Sequence, residues 1–237
     1  MKFLKDRVVT KIAIPITKVC SRSCPECVVR DQLTWFNKKI DPDEREMTLE
    51  ELAKVGYLIG RIKYLEITGG EPTMHAKFEE ITNRLTEFFQ CDDIMLVTNG
   101  WLFGRDPSKL PLLMKYQRVW VTDYNESFAK RHGGNSNTKD AQLVRDYLIK
   151  NQHPFLHYQE MYEHRSHTPP YGGVPCSHYY SGMIGYYDGR LYGCCVAGGL
   201  PEGQRGVSIP LTIDWRDRYE ERMELPCEYC PYSKEVK

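Results

Sequence analysis

Apolar positions along the first two thirds of the chain follow two rhythms in alternation. Lys11 to Thr17 is apolar and β-branched, which predicts a strand. Thr48-Leu-Glu-Glu51 has the form of a capping box, and Leu49, Leu52, Val55, Leu58 and Ile59 follow at helical spacing. Tyr64 to Thr68 reads as a buried strand closed by Gly69-Gly70-Glu71-Pro72. Ala76 to Phe89 reads as a helix, with Phe78, Ile81, Leu85 and Phe88 on one face. Ile94 to Thr98 is the next strand, closed by Asn99-Gly100. Asp106-Pro107 predicts the start of a helix reaching Tyr116. Val119 to Thr122 reads as a strand, Asp140 to Lys150 as a helix, and Phe155 to Met161 as a strand.

Strand and helix in regular succession imply a parallel sheet with crossover helices. About five parallel strands are too few for a closed eight-stranded barrel, so the expected fold is α/β, a partial (β/α) barrel. The cysteines, Gly-Gly-Glu-Pro, Asn-Gly and Asp123 all follow strand ends, where parallel sheets bind ligands. Residues 162–182 lose the rhythm and are rich in His, Tyr, Pro, Gly and Ser. Met183 to Tyr187, Asp188-Gly189 and Arg190 to Cys194 then read as a hairpin with a two-residue turn, and Asp214 to Glu224 as a short charged helix. The expected division is a core at 1–161 and a small C-terminal unit at 162–237. The tyrosines of this region (Tyr171, Tyr179, Tyr180, Tyr186, Tyr187, Tyr192) fit hairpin packing better than a polar pocket.

Charge narrows the partners. With 32 Lys plus Arg against 32 Asp plus Glu in 237 residues, the formal charge is zero. A basic nucleic-acid protein is therefore not indicated. No uninterrupted apolar run is long enough for a membrane span, and the charged start lacks a signal-peptide pattern. The expected location is the cytoplasm, where structural disulfides are disfavoured.

That setting gives nine cysteines a meaning. Cys20, Cys24 and Cys27 stand close together; Cys91 is alone; Cys176, Cys194, Cys195, Cys227 and Cys230 fall near the end. Three thiolates on a four-iron cubane leave one iron open to a small molecule, whereas zinc sites and ferredoxin clusters close with four ligands. A zinc site borrowing a fourth ligand remains an alternative for the first set, and a four-cysteine zinc site for the second.

Cys20-x-x-x-Cys24-x-x-Cys27 after a first strand, with Gly69-Gly70-Glu71-Pro72 after the next, resembles the radical SAM (S-adenosylmethionine) superfamily. The resemblance covers about residues 8–161. It implies a [4Fe–4S] cluster on Cys20, Cys24 and Cys27 with an open iron for SAM. It also implies SAM contacts from Gly69, Gly70, Glu71 and Pro72, and polar SAM or substrate contacts from Asn99, Thr122 and Asp123. One departure is Glu26, where the family has an aromatic residue beside the adenine; that role is not transferred. The C-terminal unit resembles the family's twitch domain, which implies a second, auxiliary [4Fe–4S] cluster on Cys176, Cys194, Cys227 and Cys230. Cys91 and Cys195 are left over.

In this family a reduced cluster cleaves SAM to a 5′-deoxyadenosyl radical that takes a hydrogen atom from substrate. A fully ligated auxiliary cluster then suits removal of an electron from the substrate radical, so the resemblance implies a dehydrogenase-like oxidoreductase. The layout is similar to that of the butirosin-type aminocyclitol dehydrogenases in this family, pointing to a small polar substrate of sugar or aminocyclitol type. Alternatives are modification of a short peptide, by thioether formation or epimerisation, or of a nucleotide. With the first cysteine at position 20, no N-terminal peptide-recognition domain is expected. A flavodoxin or ferredoxin reductase is implied as electron donor. For a base or substrate contact the candidates are His157, Gln159 and Arg165; His157 and Gln159 share one face of their strand, opposite Tyr158 and Glu160.

Overall fold

The computed structural model describes residues 4–5, 8–22, 46–132, 135–160, 183–193 and 208–222. Those residues form one mixed sheet. Its strands are β1 (Leu4–Lys5), β2 (Val8–Pro15), β3 (Ile62–Thr68), β4 (Cys91–Thr98), β5 (Arg118–Asp123), β6 (Leu156–Glu160), β7 (Met183–Tyr187), β8 (Arg190–Tyr192) and β9 (Ser208–Pro210). The order across the sheet is β6-β5-β4-β3-β2-β7-β8-β9, with β1 antiparallel to β2. The five strands read from the sequence run parallel, and β7 adds a sixth by pairing parallel with β2, Ile12 beside Ile184. The hairpin therefore continues the core sheet rather than starting a new one. The sheet is open among the described residues, consistent with a partial barrel.

The helices are α1 (Leu49–Ile59), α2 (Phe78–Phe88), α3 (Trp101–Arg105), α4 (Glu126–His132), α5 (Thr138–Lys150) and α6 (Trp215–Arg222), with 3-10 turns at Pro72–Met74 and Pro107–Lys115. The capping box is present as expected: Thr48 Oγ1 accepts from the Glu51 N–H, and Glu51 returns to the Thr48 N–H at 2.7 Å. The helix expected from Asp106 is a 3-10 helix, capped by Asp106 on the Ser108 N–H. Pro111 lies inside it and offers no N–H, which weakens any α-helical ladder there. The short helices α3 and α4 and strand β9 carry too few periodic positions to be legible in the sequence.

One face of the sheet is apolar. Ile12 and Ile14 of β2, Leu65 and Ile67 of β3, Leu96 of β4, and Val119 and Val121 of β5 pack against Leu52, Ile59, Ile81, Leu85, Val144 and Leu148 of the helices. Each such side chain contributes roughly 1.5–3 kcal/mol on burial. At the C-terminal end Trp215 is fully buried and donates its indole N–H to the Leu58 carbonyl, tying α6 to α1. The opposite face alternates with this one and is polar. Its side chains include Lys11, Tyr64, Glu66, Asp93, Arg118, Trp120, His157 and Gln159, on strands in register. In the hairpin, Asp188 (φ 47°) and Gly189 (φ 76°) form the expected two-residue turn, and Tyr186, Tyr187 and Tyr192 are buried in packing.

Candidate functional site at the carboxyl ends of the parallel strands

The six parallel strands deliver their following loops to one edge. Cys20 lies there, five residues beyond the end of β2, buried at 6% exposure, and its Sγ accepts from the Arg22 N–H at 3.4 Å. Cys24 and Cys27 lie outside the described residues. The chain returns at Glu46, which bridges Thr17, while Met47 N–H donates to the Ile16 carbonyl. Both ends of the cysteine loop are thus anchored on the end of β2.

Gly69 and Gly70 run directly against this loop. Gly70 N–H donates to the Thr17 carbonyl and Glu71 N–H to the Val19 carbonyl, both at 2.8 Å. A Cβ on Gly70 would lie 2.2 Å from the Val19 carbonyl oxygen and 2.9 Å from the Cys20 Cβ. Only glycine allows that approach. The glycine backbone is therefore a cradle for the cysteine loop at Cys20, whose soft thiolate donor suits iron–sulfur ligation. In its donor chemistry Cys20 fits the [4Fe–4S] cluster.

Glu71 is 2% exposed, and its carboxylate accepts four hydrogen bonds from protein. Oε1 takes Thr73 N–H at 3.2 Å, Thr73 Oγ1–H at 2.6 Å and Thr98 Oγ1–H at 2.6 Å; Oε2 takes Asn99 N–H at 2.7 Å. Burial pushes the Glu71 carboxyl above the ordinary glutamate range, against the downward pull of these bonds. The side chain joins the end of β3 to the end of β4.

Asn99 extends the network. Its Nδ2 donates to Ser21 Oγ at 3.2 Å, next to Cys20, and its Oδ1 accepts from Trp101 N–H at 3.0 Å. Asn137, 2% exposed, donates through Nδ2 to the carbonyls of Asn99 (2.6 Å) and Thr122 (2.9 Å) and accepts the Tyr124 N–H at 2.6 Å. It stands at the N-cap of α5 but makes no cap bond there, because its side chain is engaged with β4 and β5. Asp123, also buried, accepts from Thr138 Oγ1 at 2.7 Å and from the Tyr158 hydroxyl at 2.6 Å. Burial and the Asp123 charge hold the Tyr158 hydroxyl protonated well above the usual tyrosine range.

The structure thus brings Cys20, Gly69, Gly70, Glu71, Asn99, Thr122 and Asp123 to one edge. Pro72 follows Glu71 as the first residue of a 3-10 turn there. Trp120 and His157 meet on the polar face, ring centroids 4.4 Å apart and planes tilted by 58°, and Gln159 sits beside Thr122. Arg165, Cys176, Cys194, Cys195, Cys227 and Cys230 lie outside the described residues. Cys91 opens β4, and burial with Asp92 and Asp93 pushes its thiol up to about 11, so it stays protonated at neutral pH. Sequence reading passed over Asn137, Thr73 and the Lys11–Glu66 ion pair. An Asn before a helix signals a cap and gives no hint of the two strand ends that it binds.

The profile of the radical SAM superfamily matches residues 14–149. Among curated proteins, the probable GTP 3′,8-cyclase of Pyrococcus horikoshii is 38% identical over 96 residues, 40% of this chain and 28% of that protein. The GTP 3′,8-cyclase of Sulfurimonas denitrificans is 30% identical over 108 residues, 44% of this chain and 32% of that protein. The matched segment thus spans less than a third of either relative's length. Among solved structures, BtrN in complex with AdoMet and 2-DOIA superposes with a TM-score of 0.58 at 14% identity, covering 95% of this chain and 92% of that one. BtrN in an open conformation gives 0.53. That likeness is one of fold. The strand-end constellation and the family match together place the chain in the radical SAM superfamily, an enzyme family that works with a [4Fe–4S] cluster and SAM.

Proposed function

We propose that this enzyme oxidises a small polar molecule of sugar or aminocyclitol type, acting as a dehydrogenase. The observation that supports it most is the continuity of the site edge with the polar face: the Gly69–Gly70 cradle, the Thr98–Asn99 and Thr122–Asp123 ends, and the His157–Trp120 pair belong to one sheet. When bound, the cluster on Cys20, Cys24 and Cys27 together with SAM supplies a carbon radical that removes a hydrogen atom, and an auxiliary cluster on Cys176, Cys194, Cys227 and Cys230 supplies an electron acceptor. The protein's share is positioning. Gly69 and Gly70 let backbone approach the ligand, Glu71 and Asn137 fix the strand ends relative to one another, and His157, Gln159 and Arg165 are the candidates for taking the substrate proton or holding its hydroxyls. Oxidation of a carbinol to a ketone balances as one hydrogen atom, one proton and one electron removed.

In this reading residues 162–237 form the auxiliary-cluster unit, a flavodoxin or ferredoxin provides the reducing electron, and the protein works in the reducing cytoplasm. No described helix is long and apolar enough to cross a membrane. Nucleotide modification is a second reading, supported by the sequence likeness to GTP 3′,8-cyclases.

The test is anaerobic reconstitution followed by iron analysis and product analysis. Two [4Fe–4S] clusters give about eight irons per chain; about four irons with one zinc defeats the auxiliary cluster. Reduced protein with SAM should form 5′-deoxyadenosine. Cys227→Ala should keep that reaction and lose oxidised product, and full product yield from this variant overturns the electron-acceptor role.

A further inference from the structure

The backbone just before Cys20 is held from two sides. On one side Gly70 N–H donates to the Thr17 carbonyl and Glu71 N–H to the Val19 carbonyl, both at 2.8 Å. On the other, Glu46 pairs with Thr17 as an antiparallel bridge, and Met47 N–H donates to the Ile16 carbonyl at 2.9 Å. Thr17 is buried between them, and its Oγ1 accepts the Val19 N–H at 3.0 Å.

The chain that supplies the glycines then returns to this arrangement. The 3-10 turn at Pro72–Met74 brings His75, 5% exposed, against Glu46 and Met47. Its Nδ1 accepts the Lys77 N–H at 2.9 Å, which leaves the ring proton on Nε2, and Nε2 donates to the Met47 carbonyl at 2.9 Å. The neighbouring Ala76 N–H donates to the Glu46 carboxylate, at 3.0 and 3.1 Å from its two oxygens. The links form a ring: the glycines to Thr17, Thr17 to Glu46, and Glu46–Met47 back to His75–Ala76. The two bonds of the imidazole differ in reach. The Lys77 bond joins residues two apart and serves the local turn, whereas the Met47 bond spans 28 residues and completes the ring.

We infer that His75 and Glu46 are positioning residues for the cluster ligand Cys20. Together they clasp the Ile16–Thr17 backbone against the glycine pair, and so fix where the Cys20 thiolate stands relative to Gly69 and Gly70. His75 acts through the Met47 carbonyl and Glu46 through its pairing with Thr17. Supporting partners of this kind orient a metal ligand that they do not themselves replace. The role rests on membership of the radical SAM superfamily and is independent of the dehydrogenase reading, because it concerns the cluster that binds SAM whatever the substrate.

The test reads hydrogen exchange and SAM binding in the reconstituted full chain. In His75→Ala and in Glu46→Ala, the amides of Met47, Gly70 and Glu71 should exchange roughly fivefold faster or more relative to those of Gly60 and Val119, the loss of about one hydrogen bond. The SAM concentration that half-saturates the change in the electron paramagnetic resonance spectrum of the reduced cluster should rise by a similar factor. Glu46 is partly exposed, so its variant guards against a His75 variant that fails to fold. His75→Gln returns a donor to the Met47 carbonyl, while His75→Asn returns only an acceptor for the Lys77 N–H. Glutamine should therefore recover both readouts and asparagine neither; asparagine doing as well as glutamine overturns the Met47 link. Equal acceleration at all five amides reduces His75 and Glu46 to general stability and overturns the clasp. An unchanged SAM midpoint in both alanine variants overturns the positioning role, whatever the exchange shows.

Discussion

The backbone N–H of Asn99 donates to Oε2 of Glu71 at 2.7 Å, so two strand ends 28 residues apart in sequence share one buried carboxylate. The motif glutamate is therefore a strut between the ends of β3 and β4. With Thr98 and Thr73 on Oε1, it sets the height of the β4 end against the glycine cradle beside Cys20.

Removing that strut strands its donors. Glu71→Ala leaves two backbone N–H groups and two hydroxyls without the carboxylate, at a cost of about 1–3 kcal/mol for each group that finds no water. Urea unfolding should show a loss of roughly 3 kcal/mol or more. Glu71→Gln keeps one carbonyl acceptor and should lose less. A loss below about 1 kcal/mol for the alanine variant would sink the strut.

Asn137 offers a sharper comparison. Asn137→Ala deletes three hydrogen bonds of a buried side chain and should destabilise by about 2–4 kcal/mol. Asn137→Asp keeps an acceptor for the Tyr124 N–H but turns carboxylate oxygen toward the carbonyls of Asn99 and Thr122. Aspartate should therefore do no better than alanine. Clear rescue by aspartate would show that the two donor bonds contribute little.

Two glycines separate space from conformation. Gly70→Ala forces a Cβ to within 2.2 Å of backbone, so the cysteine loop must shift and the iron content after reconstitution should fall. A methyl added at Gly189 would meet nothing within 4 Å, but this residue holds φ at +76°. Gly189→Ala should cost about 1 kcal/mol of stability and leave iron content untouched.

The Glu66 carboxyl titrates above the ordinary value of 4.5 in the folded chain. The native state then holds this proton more tightly than the unfolded state, so the contribution to stability falls as pH rises from 4.5 through the raised folded value. Glu66→Gln has no such proton. The unfolding midpoint of the wild type minus that of the variant should decline as pH rises over this window; a flat or rising difference would contradict the raised value.

The alternation of strand and helix was legible because burial on one face imposes periods of two and 3.6, and those periods are local. The capping box at Thr48, the Asp188–Gly189 turn and the strand-end position of Gly69-Gly70-Glu71-Pro72 were legible for the same reason: each depends on residues within a few positions of one another. Cysteine spacing belongs with them, since Cys20, Cys24 and Cys27 fall within eight residues of one another.

Sequence by itself thus determined the parallel α/β frame, the cysteine loop and the family. Only the tertiary structure decided which side chains that frame brings together. It turned Glu71 toward Thr98 and Asn99, drew Asn137 away from its helix cap, paired β7 with β2, and set Lys11 against Glu66. These are contacts between strands adjacent in the sheet yet distant along the chain. The register that aligns Ala13 with Glu66 and Met95 is fixed by the packing of the whole apolar face, and no local pattern encodes it.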